Sequence, residues 1–334
     1  MNIVLHRHQR KWPLTVVGVI FIVLILVGIY FLFNRPVKGD QLFGLTYSVQ
    51  YAEDLGLDSH AAFLALLEDL EVKRVRLPFY WSRIEAQNDH YDWREMDWYI
   101  KQAEDHGVEI TAAIGRKVPR WPECFIPDWA ETLEGDYLHA ELMAYLETLV
   151  TRYRDSEAIV RWQVENEAFF PFGVCPRPDV DQHLAELTLV RSLDDRPIQA
   201  TVSGELEPWF DAAALADVLG ISMYRVTWND FFGYFFYPIS PSFYAARANS
   251  VRPLVDRVII SELQAEPWFP EPMDRRTPAQ WYQVFDADMM RKNIYFAEQT
   301  GLDEVYLWGA EWWYFLKING EDGLWNVARE AFAK

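Results

Sequence analysis

Two hydrophobic patterns divide the chain. Residues 14–33 read LTVVGVIFIVLILVGIYFLF, without one charged side chain. A helix of about 20 such residues, rising roughly 1.5 Å per residue, matches the ~30 Å hydrocarbon core of a bilayer. A cleavable signal peptide has a shorter apolar run and a small-residue cleavage site. Neither feature is present, so the pattern predicts a transmembrane signal anchor. From residue 42 onward, short β-prone runs alternate with helical periodicity. Strands are predicted at 42–47, 73–77, 108–114, 159–164, 198–202, 218–223, 257–261 and 304–308. Between them lie periodic helices such as 61–70, 98–106, 137–153, 180–193 and 278–299. Strand–helix repeats in this number predict an α/β fold, a (β/α)8 TIM barrel, preceded by one N-terminal transmembrane helix. The spacing from the fifth strand to the sixth is tight, which makes that crossover the least defined. No internal repeat, low-complexity tract or second linker splits the chain. The organisation read from it is a cytoplasmic N-terminus (1–13), an anchor (14–33), a linker (34–40) and one barrel domain (41–334).

Orientation follows from charge. Arg7, Arg10 and Lys11 precede the anchor and Arg35 and Lys38 follow it, a mild bias toward a cytoplasmic N-terminus with the barrel outside. Trp12 and Tyr30 are placed to sit at the two interfaces. The whole chain carries a formal charge of −19, which argues against a nucleic-acid partner, since that binding rests on Lys and Arg neutralising phosphates. Tryptophan is abundant: 15 residues, where about 4 or 5 would be ordinary for this length. About half are assigned to core filling and half to flat, amphipathic faces on which sugars stack.

The chemistry concentrates at strand ends. The run Ile159-Val-Arg-Trp-Gln-Val-Glu-Asn-Glu167 is a buried strand that delivers two acids and an amide, and Val258-Ile-Ile-Ser-Glu262 is a second strand ending in an acid. Barrel active sites lie on the C-terminal face of the strands, so the two ends predict a pair of carboxylates facing one cavity. Such a pair is what glycosidic bond cleavage requires.

Several motifs, in order, carry a family resemblance. Val75-Arg76-Leu77-Pro78, Trp81-Ser82-Arg83-Ile84-Glu85, Tyr91-Asp92-Trp93 and Asp97 resemble the second strand and following loop of the retaining (β/α)8 glycoside hydrolase clan, which includes cellulase-like, β-mannanase-like and β-galactosidase-like families. Trp162-Gln-Val-Glu-Asn166-Glu167 resembles its fourth strand, Glu262 ends the seventh and Trp308 the eighth. The resemblance covers nearly all of residues 41–330. It implies Glu167 as general acid/base, Glu262 as nucleophile and Asn166 as the amide that grips the sugar 2-hydroxyl. Arg76 would hold Glu262 ionised, Tyr224 would donate a hydrogen bond to the same carboxylate, and Trp308 would lie beneath the reactive sugar. Glu165 is the rival to Glu167, and Glu205 and Glu311 are spare acids at other strand ends.

Loops complete the picture. The segments 115–124 and 169–175 follow adjacent strands, so they share a face and bring Cys124 and Cys175, the only cysteines, close. In an oxidising compartment these would form a disulfide clamping the rim; the alternative is two unrelated buried thiols. Trp121, in the first of these loops, and Trp268, in a late one, are expected to bind substrate, with Trp312 and Trp313 as further subsites. The aromatic run 228–238 would wall the cleft, dip into the bilayer or fold over the barrel core, the last being favoured. No phosphate-cradling or dinucleotide motif occurs, and the seven histidines lack metal-ligand spacing, so neither cofactor nor metal is expected. The reading is a retaining hydrolase of β-linked glycans, an oligo- or polysaccharide. Its rivals are a transglycosylase using the same carboxylates and a catalytically silent glycan-binding barrel.

Overall fold

A computed structural model describes residues 14–33 and 41–333. The expected N-terminus (1–13) and linker (34–40), with their flanking charges and Trp12, lie outside the described residues, as does the Tyr30 side chain. Residues Leu14–Phe33 form one helix of 20 residues. Side chains are described for 16–28 of it, and those apolar groups are exposed, Phe21 at 64% and Leu24 at 63%. That stretch is shorter than a membrane span. Among the described residues, no helix is long and apolar enough to cross a membrane.

The strands are β1 (Leu42–Thr46), β2 (Arg74–Pro78), β3 (Glu109–Ile114), β4 (Ile159–Val164), β5 (Ile198–Ser203), β6 (Val218–Met223), β7 (Val226–Asn229), β8 (Gly233–Phe236), β9 (Arg257–Gln264) and β10 (Glu304–Trp308). Eight of them close into a parallel barrel in the order β1-β10-β9-β6-β5-β4-β3-β2, while β7 and β8 pair as an antiparallel hairpin inserted after β6. The expected (β/α)8 barrel is therefore present. Its strands read as continuous apolar runs because helices cover the outside of the sheet. These helices bury one face each. Arg94–His106, for example, turns Met96, Tyr99, Ile100 and Ala103 inward and ends at Gly107 in the left-handed conformation. The tight β5–β6 crossover contains a helix of only four residues, Phe210–Ala213.

Two features of the barrel interior position the site. At its base, the buried Arg161 pairs with Glu304 and hydrogen-bonds Tyr306 at 3.1 Å. Gly44 makes room for this layer, since a Cβ there would lie 2.8 Å from the Tyr306 ring. Nearer the mouth, β9 runs three residues beyond its predicted end and carries a bulge. Ile221 pairs with Ile260 but Ser222 pairs with Glu262, leaving Ser261 as the extra residue. A bulge of this kind re-aims the side chains that follow it. Here it precedes Glu262.

Most tryptophans went to the core rather than dividing evenly. Trp312 and Trp313, expected as sugar subsites, are fully buried in the helix Ala310–Ile318, which begins immediately after β10. There they pack beneath the barrel wall, and Trp313 donates to the carbonyl of Ala265 at 2.7 Å.

Candidate active site

The site is built outward from Arg76. β2 carries this guanidinium into the barrel, where it is fully buried. Its Nε donates to Gln163 Oε1 (2.7 Å), one terminal nitrogen to Glu262 Oε1 (2.6 Å) and the other to Asn166 Oδ1 (2.5 Å). One cation thus ties together side chains from β2, β4 and β9. A buried charge of this kind needs its counter-ion and hydrogen bonds, which fixes Glu262 as well as Arg76.

The turn after β4 is strained and heavily braced. Glu165 and Glu167 both have positive φ, 60° and 43°, a conformation costing about 1–3 kcal/mol each for non-glycine residues. The Glu165 carboxylate accepts from the backbone N–H of Arg116 (2.9 Å) and Lys117 (2.7 Å). Glu165 therefore splints the β3 and β4 loops together, and it does not line the main cavity. The Glu167 N–H donates to Thr201 Oγ1 (2.8 Å), and Lys117 Nζ donates to the Glu167 carbonyl (2.9 Å).

This bracing leaves the Glu167 side chain free to enter the cavity. Ser222 Oγ donates to its Oε1 at 2.7 Å, and Ser222 is the register partner of Glu262. The two carboxylates thus flank the same short stretch of β6 and β9. Tyr224, the residue immediately after β6, donates from its hydroxyl to Glu262 Oε2 at 3.1 Å. Burial, then the charge of Glu262, pushes Glu167 well above the ordinary carboxylate range, while Ser222 pulls it partly back. Burial and Glu262 likewise raise the Tyr224 phenol, so it remains a proton donor.

Around this pair lies a cavity of about 1020 Å³, lined among others by Glu167, Glu262, Asn166, Tyr224, Trp121, Trp268 and Trp308. Of the expected residues, Glu167, Glu262, Asn166, Tyr224, Trp121, Trp268 and Trp308 line it and Arg76 lies beneath, whereas Trp312 and Trp313 are absent from it. Trp308 differs from an open platform: Arg120 covers one of its faces at 4.2 Å, the same guanidinium lying 3.9 Å over Tyr51. Arg120 also pairs with Glu266 and with the fully buried Glu311, at 2.7 Å for the latter. Glu311 is therefore an anchor for Arg120. Glu205 lines the cavity and accepts from the Tyr244 hydroxyl (2.5 Å), with burial raising it to about 7.

Cys124 and Cys175 are bridged, joining the loops after β3 and β4. Trp121, 64% exposed, stands on that rim against Phe172, and Trp268 packs edge-on to Tyr224. The aromatic run does not fold over the core, as was favoured. It forms the β7–β8 hairpin, whose Trp228, Phe232 and Phe235 wall the cavity. The hairpin twists outward from β6 because Gln264 accepts both the Arg225 and Val226 N–H groups, pinning its base to β9.

Sequence reasoning passed over Glu123, Ser222, Arg120 and Glu266. Glu123, beside the bridged Cys124, accepts from Asn166 Nδ2 at 3.0 Å. Burial and the nearby Glu262 raise it to about 8. Its signal in the sequence was only its place next to a cysteine. Among the described residues, no cluster of His, Cys, Asp and Glu is placed to hold a metal ion.

Comparison with known proteins now bears on this geometry. A model of Glycosyl hydrolase family 10 matches residues 79–182, which include Glu167 but not Glu262. That segment resembles a glycoside hydrolase family in sequence. A GH5_18 enzyme of Bifidobacterium longum, solved with Manβ1-4GlcNAc, superposes with a TM-score of 0.60 at 14% identity, over 88% of this chain and 78% of that one. A cold-adapted β-galactosidase of Rahnella gives 0.60 at 12% identity, over 90% and 56%. The β-galactosidase of Halorubrum lacusprofundi gives 0.56 at 15% identity, over 87% and 57%. At these identities the structural likeness speaks for the fold. The chain spans about half the length of the β-galactosidase chains from Marinomonas and Bacillus circulans, 53% and 51%. No curated protein matches the sequence. The resemblance to the retaining (β/α)8 clan holds, in sequence over one segment and in fold over nearly the whole barrel.

Proposed function

We propose that the protein is a retaining glycoside hydrolase acting on β-linked glycans, with Glu262 as nucleophile and Glu167 as general acid/base. The observation that carries this is the division of environments within one cavity. Glu262 is gripped by Arg76 and the Tyr224 hydroxyl, while Glu167 is buried, raised and held by one serine. Two carboxyl groups set apart in this way are suited to opposite roles. In the first step the Glu262 carboxylate attacks the anomeric carbon as Glu167 protonates the departing oxygen. In the second, Glu167 removes a proton from water, which attacks the same carbon and releases Glu262. Tyr224 and Arg76 keep the nucleophile oriented. Asn166 gives one N–H to Glu123 and retains the other for a sugar hydroxyl.

The β-configuration is supported by the kinds of enzyme that share the fold, among them β-galactosidases and a GH5_18 enzyme bound to a β1-4 disaccharide. Trp121, Trp268 and the free face of Trp308 supply stacking surfaces for the sugar rings. The test uses aryl β-glycosides. Glu262→Gln should lose activity on every substrate by at least about 10³-fold. Glu167→Gln should lose as much on poor leaving groups but much less on a dinitrophenyl glycoside, whose leaving oxygen needs no proton. NMR of the first-formed sugar should show the β-anomer. An α-anomer would replace retention with inversion, and full activity of either variant would remove the assignment. Added acceptor sugars separate hydrolysis from transfer.

The helix Leu14–Phe33 is proposed as a membrane anchor, with the N-terminus cytoplasmic and the barrel on the far side. Support comes from its charge-free length and from the exposed apolar side chains of residues 16–28, the pattern of a helix whose solvent is lipid.

A further inference from the structure

The cavity has two characters. Its floor is polar, made by Glu167, Glu262, Asn166 and Glu123. Its outer wall on the β7–β8 side is aromatic and continues beyond the mouth into solvent. Phe235 and Phe232 lie 6.1 Å apart along that wall, and Phe232 meets Phe231 edge-on at 4.7 Å. Phe232 is 67% exposed although it lines the cavity, and Phe231 at the tip is 86% exposed. Single exposed apolar residues are ordinary, but a contiguous patch leading out of a binding cavity marks an interaction site. At the hairpin tip, Asn229 commits its Oδ1 to the N–H groups of Phe231 and Phe232, closing the turn. Across the mouth, Phe172 and Trp268 face the same channel 6.2 Å apart.

We propose that the β7–β8 side of the site binds an extended apolar aglycone, so that the substrates include β-linked glycosides of long alkyl or acyl-bearing alcohols. This rests on the hydrolase reading for the position of the scissile bond. The sugar would occupy the polar floor, the glycosidic oxygen would face Glu167, and the apolar chain would run out along Phe235 and Phe232. Hydrolysis releases the free sugar and the alcohol, with water supplying the hydrogen and hydroxyl.

Methyl and octyl β-glucosides, β-galactosides and β-mannosides test this, the octyl compounds kept below micelle-forming concentration. Binding to the full-length protein is read by tryptophan fluorescence and turnover by released sugar. The octyl glycoside of the accepted sugar should bind at least about tenfold tighter than its methyl counterpart, the expected direction for burying a chain of methylenes. Phe232→Ser should bring that ratio close to one. Phe231→Ser, outside the cavity lining, should leave the ratio unchanged. Equal binding of methyl and octyl glycosides would overturn the inference even if both are hydrolysed. Equal losses in the two variants would mark general surface adhesion and overturn it too. Octyl-selective binding without turnover of any glycoside would instead strike the hydrolase reading and leave the apolar channel standing.

Discussion

Ser222 shows how finely one side chain sets the site. Its hydroxyl, 2.7 Å from Glu167, stabilises the ionised acid and so opposes the upward push of burial and Glu262. Replacing it by alanine removes that opposition. The Glu167 pKa then rises further, and the basic limb of the kcat/KM profile should move to higher pH by about one unit, since a hydrogen bond to a charged group is worth about 1.5–3 kcal/mol. A limb that stays in place or moves down would mean that Glu167 is not the acid. Glu123 makes a different prediction, about stability. Its pKa is raised to about 8 in the folded chain, against about 4.3 when unfolded. The sign follows: its contribution is fully present below about pH 4.3 and is lost as pH rises through about 8. Glu123→Gln keeps an acceptor for Asn166 but cannot ionise. Its melting temperature should match the parent near pH 4 and exceed it by roughly 2–4 °C at pH 9, for each 1 kcal/mol relieved. The same offset at both pH values would show that Glu123 does not titrate in this window. Neither residue stood out in the sequence. Ser222 matters only because β6 pairs with β9, within reach of the turn after β4, and Glu123 because Cys175, 51 positions from Cys124, draws its loop inward.

At the scale of elements, the strand ends were legible and their aim was not. Glu167 and Glu262 stand at the ends of apolar runs that local pattern identifies, and Arg76 does as well. The bulge at Ser261 that turns Glu262 into the cavity is a matter of pairing between distant strands, to which periodicity is blind. The aromatic run 228–238 was ambiguous for a related reason. Its alternation is that of a hairpin, yet apolar residues facing a cavity read like residues facing a core. Trp312 and Trp313 misled in the opposite direction, because β10 passes into a helix through Gly309 with no loop between. The disulfide followed from strand adjacency alone, and it makes a prediction at this scale. The bridge closes a loop of 51 residues, worth about 4 kcal/mol in the chain-entropy account. Cys124→Ser with Cys175→Ser should therefore lower the denaturant midpoint while the barrel still folds. It should also raise KM, because Trp121 and Glu123 ride on the released loop. An unchanged midpoint would mean that packing of the two loops, rather than the bridge, holds the rim.

For the whole molecule, two independent features bear on the proposed anchoring, one on the compartment and one on the membrane. A disulfide persists where the surroundings are oxidising, and Cys124–Cys175 lies at the rim of the barrel. The helix Leu14–Phe33 has no charge, and its side chains over residues 16–28 are apolar and exposed. No surface of the barrel is needed to explain that helix if lipid surrounds it, since an all-round apolar helix in water would have to be buried by protein. The net charge of −19 works in the same sense, because an acidic barrel is repelled by anionic headgroups and would not adhere to a membrane by charge. Attachment should therefore be hydrophobic. The full chain should sediment with membranes, stay there in high salt, where ionic attachment is screened, and be released by detergent. Protease added to intact cells should digest the barrel, and thiol reagents should find no free cysteine until a reductant is added. Release by salt would replace an anchor with peripheral binding. Sedimentation with a barrel protected from protease until the cells are opened would keep the anchor but reverse its orientation, and would put the disulfide in a compartment that does not favour it.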